Sequence, residues 1–218
     1  MLTAIAYLCV FVFRFKVGFL TFDFKDAVIA TLSFLYGPVY GIASAVTVAF
    51  FEAVSVSDTG VYGFIMNALS SATFALVCGL IYRLKHSFAG AVASALTSVT
   101  AVTAVMMLAN IFITPYYMGV DRTDVIAMLP TLLFPFNLCK ALMNASVTML
   151  IYKPIRTALR RAGLSEGKKL ADGEQSHSQS KRRTAILAVT AAVVALSASA
   201  VIIFVLGGEF ELLRELKK

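Results

Sequence analysis

The chain has 218 residues, of which 59% are hydrophobic and 14% charged, with a formal charge of +7. A mean hydropathy of +0.84 carried by long uncharged runs indicates an integral membrane protein built from helices, and it excludes a soluble domain or a β-barrel. The charge does not indicate nucleic-acid binding: nine of the 19 basic residues fall between Lys153 and Arg183, between two apolar segments, as in a cytoplasmic loop.

In chain order, residues 2–20 read as a first apolar segment with Arg14 and Lys16 near its far end, and without the basic leader of a cleavable signal peptide. A polar, aromatic connection follows, TFDFKD from Thr21 to Asp26. The stretch Ala27–Val56 is broken by Gly37-Pro38, and hydropathy reads it either as one kinked span or as a short helix followed by a longer one. Gly37, Gly41, Ala45, Ala49 and Ala53 recur every four residues, a small-residue ridge that lets another helix approach closely. Gly41, Ala45 and Ala49 are thus candidate contacts for a membrane partner, with an internal helix contact as the equal alternative.

After a turn at Ser57–Gly60, a span over about Tyr62–Tyr82 carries Asn67 and ends at the basic Arg83–His86. The next span, about Phe88–Ile113, carries Asn110 and is expected to stop at Pro115. The connection PYYMGVDRTD leads to Leu129–Pro154, an apolar helix with a lysine inside it, for which Pro135 suits the first helical position. Beyond it, Ile155–Leu164 reads as a basic surface helix and Ser165–Arg183 as a polar linker. Thr184–Leu206 is long enough for one more transmembrane helix, and a charged tail closes the chain.

Catalysis has little to rest on. His86 and His177 lack the clustered carboxylates or cysteines of a metal site, and Ala162–Lys169 lacks the first glycine and the final Ser/Thr of a phosphate loop. Cys9, Cys78 and Cys139 read as small core residues. No enzyme activity, metal or cofactor is expected. What remains is a set of polar groups in apolar segments: Glu52, Asn67, Asn110, Asn137, Lys140 and Asn144. Asn137, Lys140 and Asn144 share one helix face at i, i+3 and i+7. An ionisable group inside a membrane helix marks a functional site by default. A lysine that merely snorkels to the interface needs no asparagines on its own face. If the basic loops are inside, these groups lie toward the outer ends of their segments, joined by aromatic connections that include Phe22. That describes an outward-facing pocket for a planar, hydrogen-bonding small molecule. Glu52 is open to another role, pairing with Lys140, Arg122 or another base.

The ordered series FDFKDAVIATLSFLYGPVYG, NALSSATFALVCGLIY, LANIFITPYYMGV and LFPFNLCKALMNASVTMLIYKP resembles the S components of energy-coupling factor (ECF) vitamin transporters, and within them the riboflavin-specific branch. The resemblance implies an all-α membrane protein with a six-helix S-component module over 1–154. A linker (155–183), an extra transmembrane helix (184–206) and a tail (207–218) would follow it. It implies two helices around Gly37-Pro38, with TFDFKD outside as a loop over the pocket. It further implies capture of a vitamin, riboflavin in that branch, at a prokaryotic plasma membrane. A transmembrane coupling subunit and two cytoplasmic ATPases would be the partners. Asn110, Asn137 and Lys140 match the positions that contact the isoalloxazine ring in that branch. The Ala-x-x-x-Ala pair common in the family's first helix is absent, since Ala4 is followed by Leu8 and Ala6 by Val10. Read from its residues without the resemblance, the chain also fits a stand-alone channel or facilitator, or a membrane protein whose polar groups only tie helices together.

Overall fold

Gly37-Pro38 divides the apolar stretch after residue 26 into two helices. Gly37 takes φ +105°, which L side chains rarely adopt, and Pro38 starts the next helix, where its missing N–H costs nothing. The computed structural model describes residues 1–17, 20–56, 59–84 and 86–161. Its elements are α1 (Leu2–Val12), β1 (Phe15–Val17), β2 (Leu20–Phe22), α2 (Lys25–Tyr36), α3 (Pro38–Ser55), α4 (Gly60–Leu84), α5 (Phe88–Met118), α6 (Arg122–Met128) and α7 (Phe134–Arg161). Four helical stretches are long and apolar enough to cross a membrane: Pro38–Ser55, Gly60–Leu84, Ala89–Met118 and Arg122–Tyr152. The expected linker beyond residue 161, the extra helix 184–206 and the tail lie outside the described residues.

α2 has 12 residues, about 18 Å at helical rise and well short of a ~30 Å hydrocarbon core. Every residue from Lys25 to Phe34 is nevertheless buried, because α1, α3, α4 and α7 all pack around it. This explains how a helix carrying lysine, aspartate, threonine and serine fits a membrane protein: its neighbours stand between it and lipid. Close approach is built in with small residues. A Cβ on Gly79 would lie 2.3 Å from Ser33 Oγ and 2.9 Å from Pro38 Cα, and one on Gly41 would lie 2.8 Å from Ser33 Cβ. Ser33 in turn donates to the Ala75 carbonyl at 2.6 Å, so one serine occupies the junction of α2, α3 and α4.

Two open readings are narrowed by the packing, and two expectations need correction. The ridge Gly41, Ala45 and Ala49 makes the internal contact that was its equal alternative: all three are buried, and Ala45 packs with Ala6, Val28 and Ala75 from α1, α2 and α4. The apolar segment 2–20 is helical only in its first part. α1 ends at Val12 and the chain turns back through the antiparallel pair β1–β2, with Lys16 opposite Thr21, in a stretch whose apolar–basic alternation has the period of a strand. Arg14 Nη1 donates to the Val56 carbonyl at 3.0 Å, tying this corner to the end of α3. Pro115 does not stop α5: it withdraws only its own N–H, and the helix closes one turn later at Gly119, φ +67°, whose N–H reaches the Pro115 carbonyl at 2.9 Å. Nor does Pro135 begin its helix. A π-helical turn, Leu129–Leu133, joins α6 to α7, with the Phe134 N–H bonded to the Leu129 carbonyl five residues back. The wider turn fits Pro130 and Pro135 into one continuous helical run.

The alternation of helices brings the end of α1, the start of α2, the ends of α3 and α5 and the first turns of α7 to the same end of the bundle. Phe34, Tyr82 and Tyr152 close the opposite end, where the two tyrosine hydroxyls bond each other and Phe34 packs 4.7 Å from the Tyr82 ring.

Candidate functional site

The site grows from Phe22-Asp23-Phe24-Lys25-Asp26, the link between β2 and α2. Phe22 is fully buried and anchors the link on α7: its ring lies 4.6 Å from Phe136 at 64°, beside Met143. One helical turn along α7 from Phe136, Lys140 turns to the same link. Its Nζ lies 3.0 Å from Asp23 Oδ2 and 3.1 Å from the Thr21 carbonyl oxygen. Asn144, one turn deeper, bonds backbone on both sides of the turn. Its Nδ2 donates to the Asp23 carbonyl at 2.9 Å, and its Oδ1 accepts the Ala27 N–H at 3.0 Å.

A second ion pair lies next to the first. Lys25 Nζ donates to Glu52 Oε2 at 2.5 Å and stands 3.5 Å from the same Asp23 Oδ2 that Lys140 holds. The result is an alternating chain, Glu52–Lys25–Asp23–Lys140, that links α3 to α7 through the start of α2. All four side chains are buried or nearly so. The third carboxylate of the cluster, Asp26, accepts from the Ser71 hydroxyl of α4. Burial pushes the Asp23 carboxyl up, but Lys140 and then Lys25 outweigh it and hold the group at about 2. The stability this contributes is present above the ordinary carboxylate value and is lost as pH falls through about 2, so Asp23 stays ionised at any physiological pH.

Of the residues singled out from the sequence, Phe22, Lys140, Asn144 and Glu52 converge here. Glu52 pairs with a base that the sequence left open, and that base is Lys25. Asn137 is buried on the Lys140 face of α7; its Nδ2 donates to the Leu133 carbonyl at 2.8 Å, and its Oδ1 carries no bond among the described residues. Asn110 is buried near the end of α5, which packs along α7; its Nδ2 donates to the Met106 carbonyl at 2.7 Å, and its Oδ1 accepts from Thr114. Asn67 is half-buried on α4, with no hydrogen bond among the described residues. Asp23, Lys25 and Asp26 were missed as site residues. Their signal was the charge alternation D-F-K-D beside a helix carrying an unexplained Glu52.

A family model for the ECF transporter substrate-specific component matches residues 1–152. The chain belongs to that family. S components are substrate-binding transport subunits that bind a vitamin and work with the other subunits of an ECF complex. Among relatives, this S component is 29% identical over 172 residues to the riboflavin transporter RibU of Staphylococcus aureus (strain TCH60), covering 74% of this chain and 89% of the relative. Among solved structures it is similar to one described as the structure and mechanism of the S component of a bacterial ECF transporter. That match has a TM-score of 0.63 and 27% identity, covering 74% of this chain and 94% of the other. The four long apolar helices make this S component a multi-pass membrane protein.

Proposed function

We propose that this chain captures riboflavin from outside a prokaryotic cell, and that a transmembrane coupling subunit and two cytoplasmic ATPases then drive uptake. In this reading 1–154 is the six-helix module, formed by α1 to α5 and the continuous α6–α7 run, and 184–206 adds a further membrane helix. The observation that carries the proposal is the α7 face with Lys140 and Asn137, beside Asn110 of α5, in a chain 29% identical to a riboflavin transporter.

The donor and acceptor supply fits a flavin edge, which offers carbonyl and ring-nitrogen acceptors and one N–H donor. Lysine only donates, and an ammonium has three protons; the described bonds use two of them at Lys140. Asn137 Oδ1 can accept an imide N–H, and the second Nδ2 proton of Asn110 can reach a ring acceptor. Phe22, Phe136 and Asn67 would complete the surroundings of a planar ring, while Glu52 acts through Lys25. Purification from cells grown with riboflavin tests the proposal: the protein should carry flavin absorbance in stoichiometric amount. Protein that is colourless and leaves riboflavin fluorescence unquenched would overturn it.

A further inference from the structure

The Lys140–Asp23 pair poses a problem for capture. A neutral flavin carbonyl is a weaker partner for an ammonium than a carboxylate, so a ligand that had to break this buried pair would bind uphill. The geometry offers a way out. Asp23 Oδ2 and the Thr21 carbonyl approach the Lys140 ammonium at 3.0 and 3.1 Å and occupy two of its three protons. The lysine side chain keeps 11% of its surface accessible against 1% for the aspartate, so an incoming molecule meets the lysine before the carboxylate. Asp23 cannot easily swing away. Its backbone carbonyl is bonded by Asn144, its Oδ1 accepts the Lys25 N–H at 3.3 Å, and its Oδ2 also faces Lys25 Nζ at 3.5 Å.

We propose that Asp23 is a positioning residue for substrate capture: with the Thr21 carbonyl it fixes the Lys140 ammonium and leaves its third proton for a carbonyl or ring-nitrogen acceptor of the substrate. The ion pair therefore persists in the bound state. The inference rests on the riboflavin reading for the identity of the acceptor, but not for the state of the lysine. The other titratable groups around the pair are Lys25 and Asp26 of α2, Glu52 of α3, Cys9 of α1 and Cys139 of α7. Only the two lysines are cationic, and Lys25 is already committed to Glu52.

The test is Asp23→Asn in the full chain, which keeps the shape and removes the charge. Asp23 is the carboxylate in contact with the Lys140 ammonium among the described residues, and a buried ammonium that loses such a contact gives up its proton more readily. Riboflavin affinity of this variant should therefore fall as pH rises from 6 to 9. The unmodified protein should stay flat over that range. Asp23→Asn with Lys140→Arg should be flat again, because a guanidinium keeps its charge. Higher affinity in Asp23→Asn would show that the carboxylate competes with the ligand, and a flat profile would show that it does not govern the lysine; either overturns the proposal. If Asp23→Asn does not fold, Asp23→Glu carries the test: a displaced carboxylate should weaken binding with a flat pH profile, and unchanged affinity overturns the claim. A ligand-free arm separates this claim from the riboflavin reading. Pulse acetylation read by peptide mass spectrometry should find Lys140 more reactive in Asp23→Asn than in the unmodified protein, and equal reactivity overturns the positioning claim. Should riboflavin fail to bind at all, the substrate reading falls and this arm alone decides the positioning claim.

Discussion

Lys25 and Glu52, 27 positions apart, form an ion pair at 2.5 Å with both side chains essentially inaccessible, and this pins the first turn of α2 to the last turns of α3. A buried pair is weak support for stability as a whole, but removing one partner strands the other. Lys25→Met or Glu52→Gln alone should each destabilise the protein by about 3–5 kcal/mol, and the double variant by much less. Thermal unfolding of the detergent-solubilised variants reads the coupling. Additive effects would mean that the two groups do not depend on each other.

Asn144 holds the other side of the same turn. Asn144→Ala leaves the buried Asp23 carbonyl without the Asn144 amide, a loss of about 1–3 kcal/mol, while the Ala27 N–H keeps the Phe24 carbonyl at 3.2 Å. Because that turn presents Asp23 to Lys140, riboflavin affinity should fall along with the melting temperature. A variant that melts earlier and binds normally would make Asn144 purely structural.

The α2–α3–α4 junction has no room for added atoms. Gly79→Ala should cost about 1–3 kcal/mol, since the new methyl meets Pro38 backbone as well as Ser33. Ala45→Leu should lower expression and thermal stability for the same reason, as Ala45 is fully buried. If Ala45→Leu folds and binds normally yet fails to assemble with partner subunits, the ridge is a partner surface after all.

Deleting 165–218 should leave riboflavin binding intact, because the family match ends at residue 152. Equal affinity and yield in the truncated chain is the expected outcome. Loss of either would place the C-terminal segment inside the binding module.

How much of this was legible in the sequence depends on how local each signal was. The long spans came through because an uncharged run and its basic flank are local. So did the break at Gly37-Pro38, once the family resemblance was in hand. The polar face of α7 was visible from spacing alone. The partners of that face were not. Asp23 and Lys140 are 117 positions apart, and the D-F-K-D alternation around Asp23 does not say which base it meets. The same limit left the ridge open between a partner surface and an internal contact. Small residues every four positions say that something packs closely, while only the surrounding helices say what. Pro115 and Pro135 misled because a proline's local cost is small enough for a π turn or one missing bond to absorb.

The account stands most directly on Lys140. Its role is measured by titrating riboflavin fluorescence against the purified protein and its Lys140→Met variant. Methionine keeps the apolar stem, and Asp23 retains Lys25 at 3.5 Å, so the variant should fold with reduced stability. A hydrogen bond from a charged donor is worth about 1.5–3 kcal/mol, so affinity should fall roughly 10- to 150-fold. Asn137→Ala and Asn110→Ala should cost less, about 0.5–1.5 kcal/mol each, as neutral hydrogen bonds. Unchanged affinity in a folded Lys140→Met protein would contradict the account and leave the lysine as a structural partner of Asp23 alone.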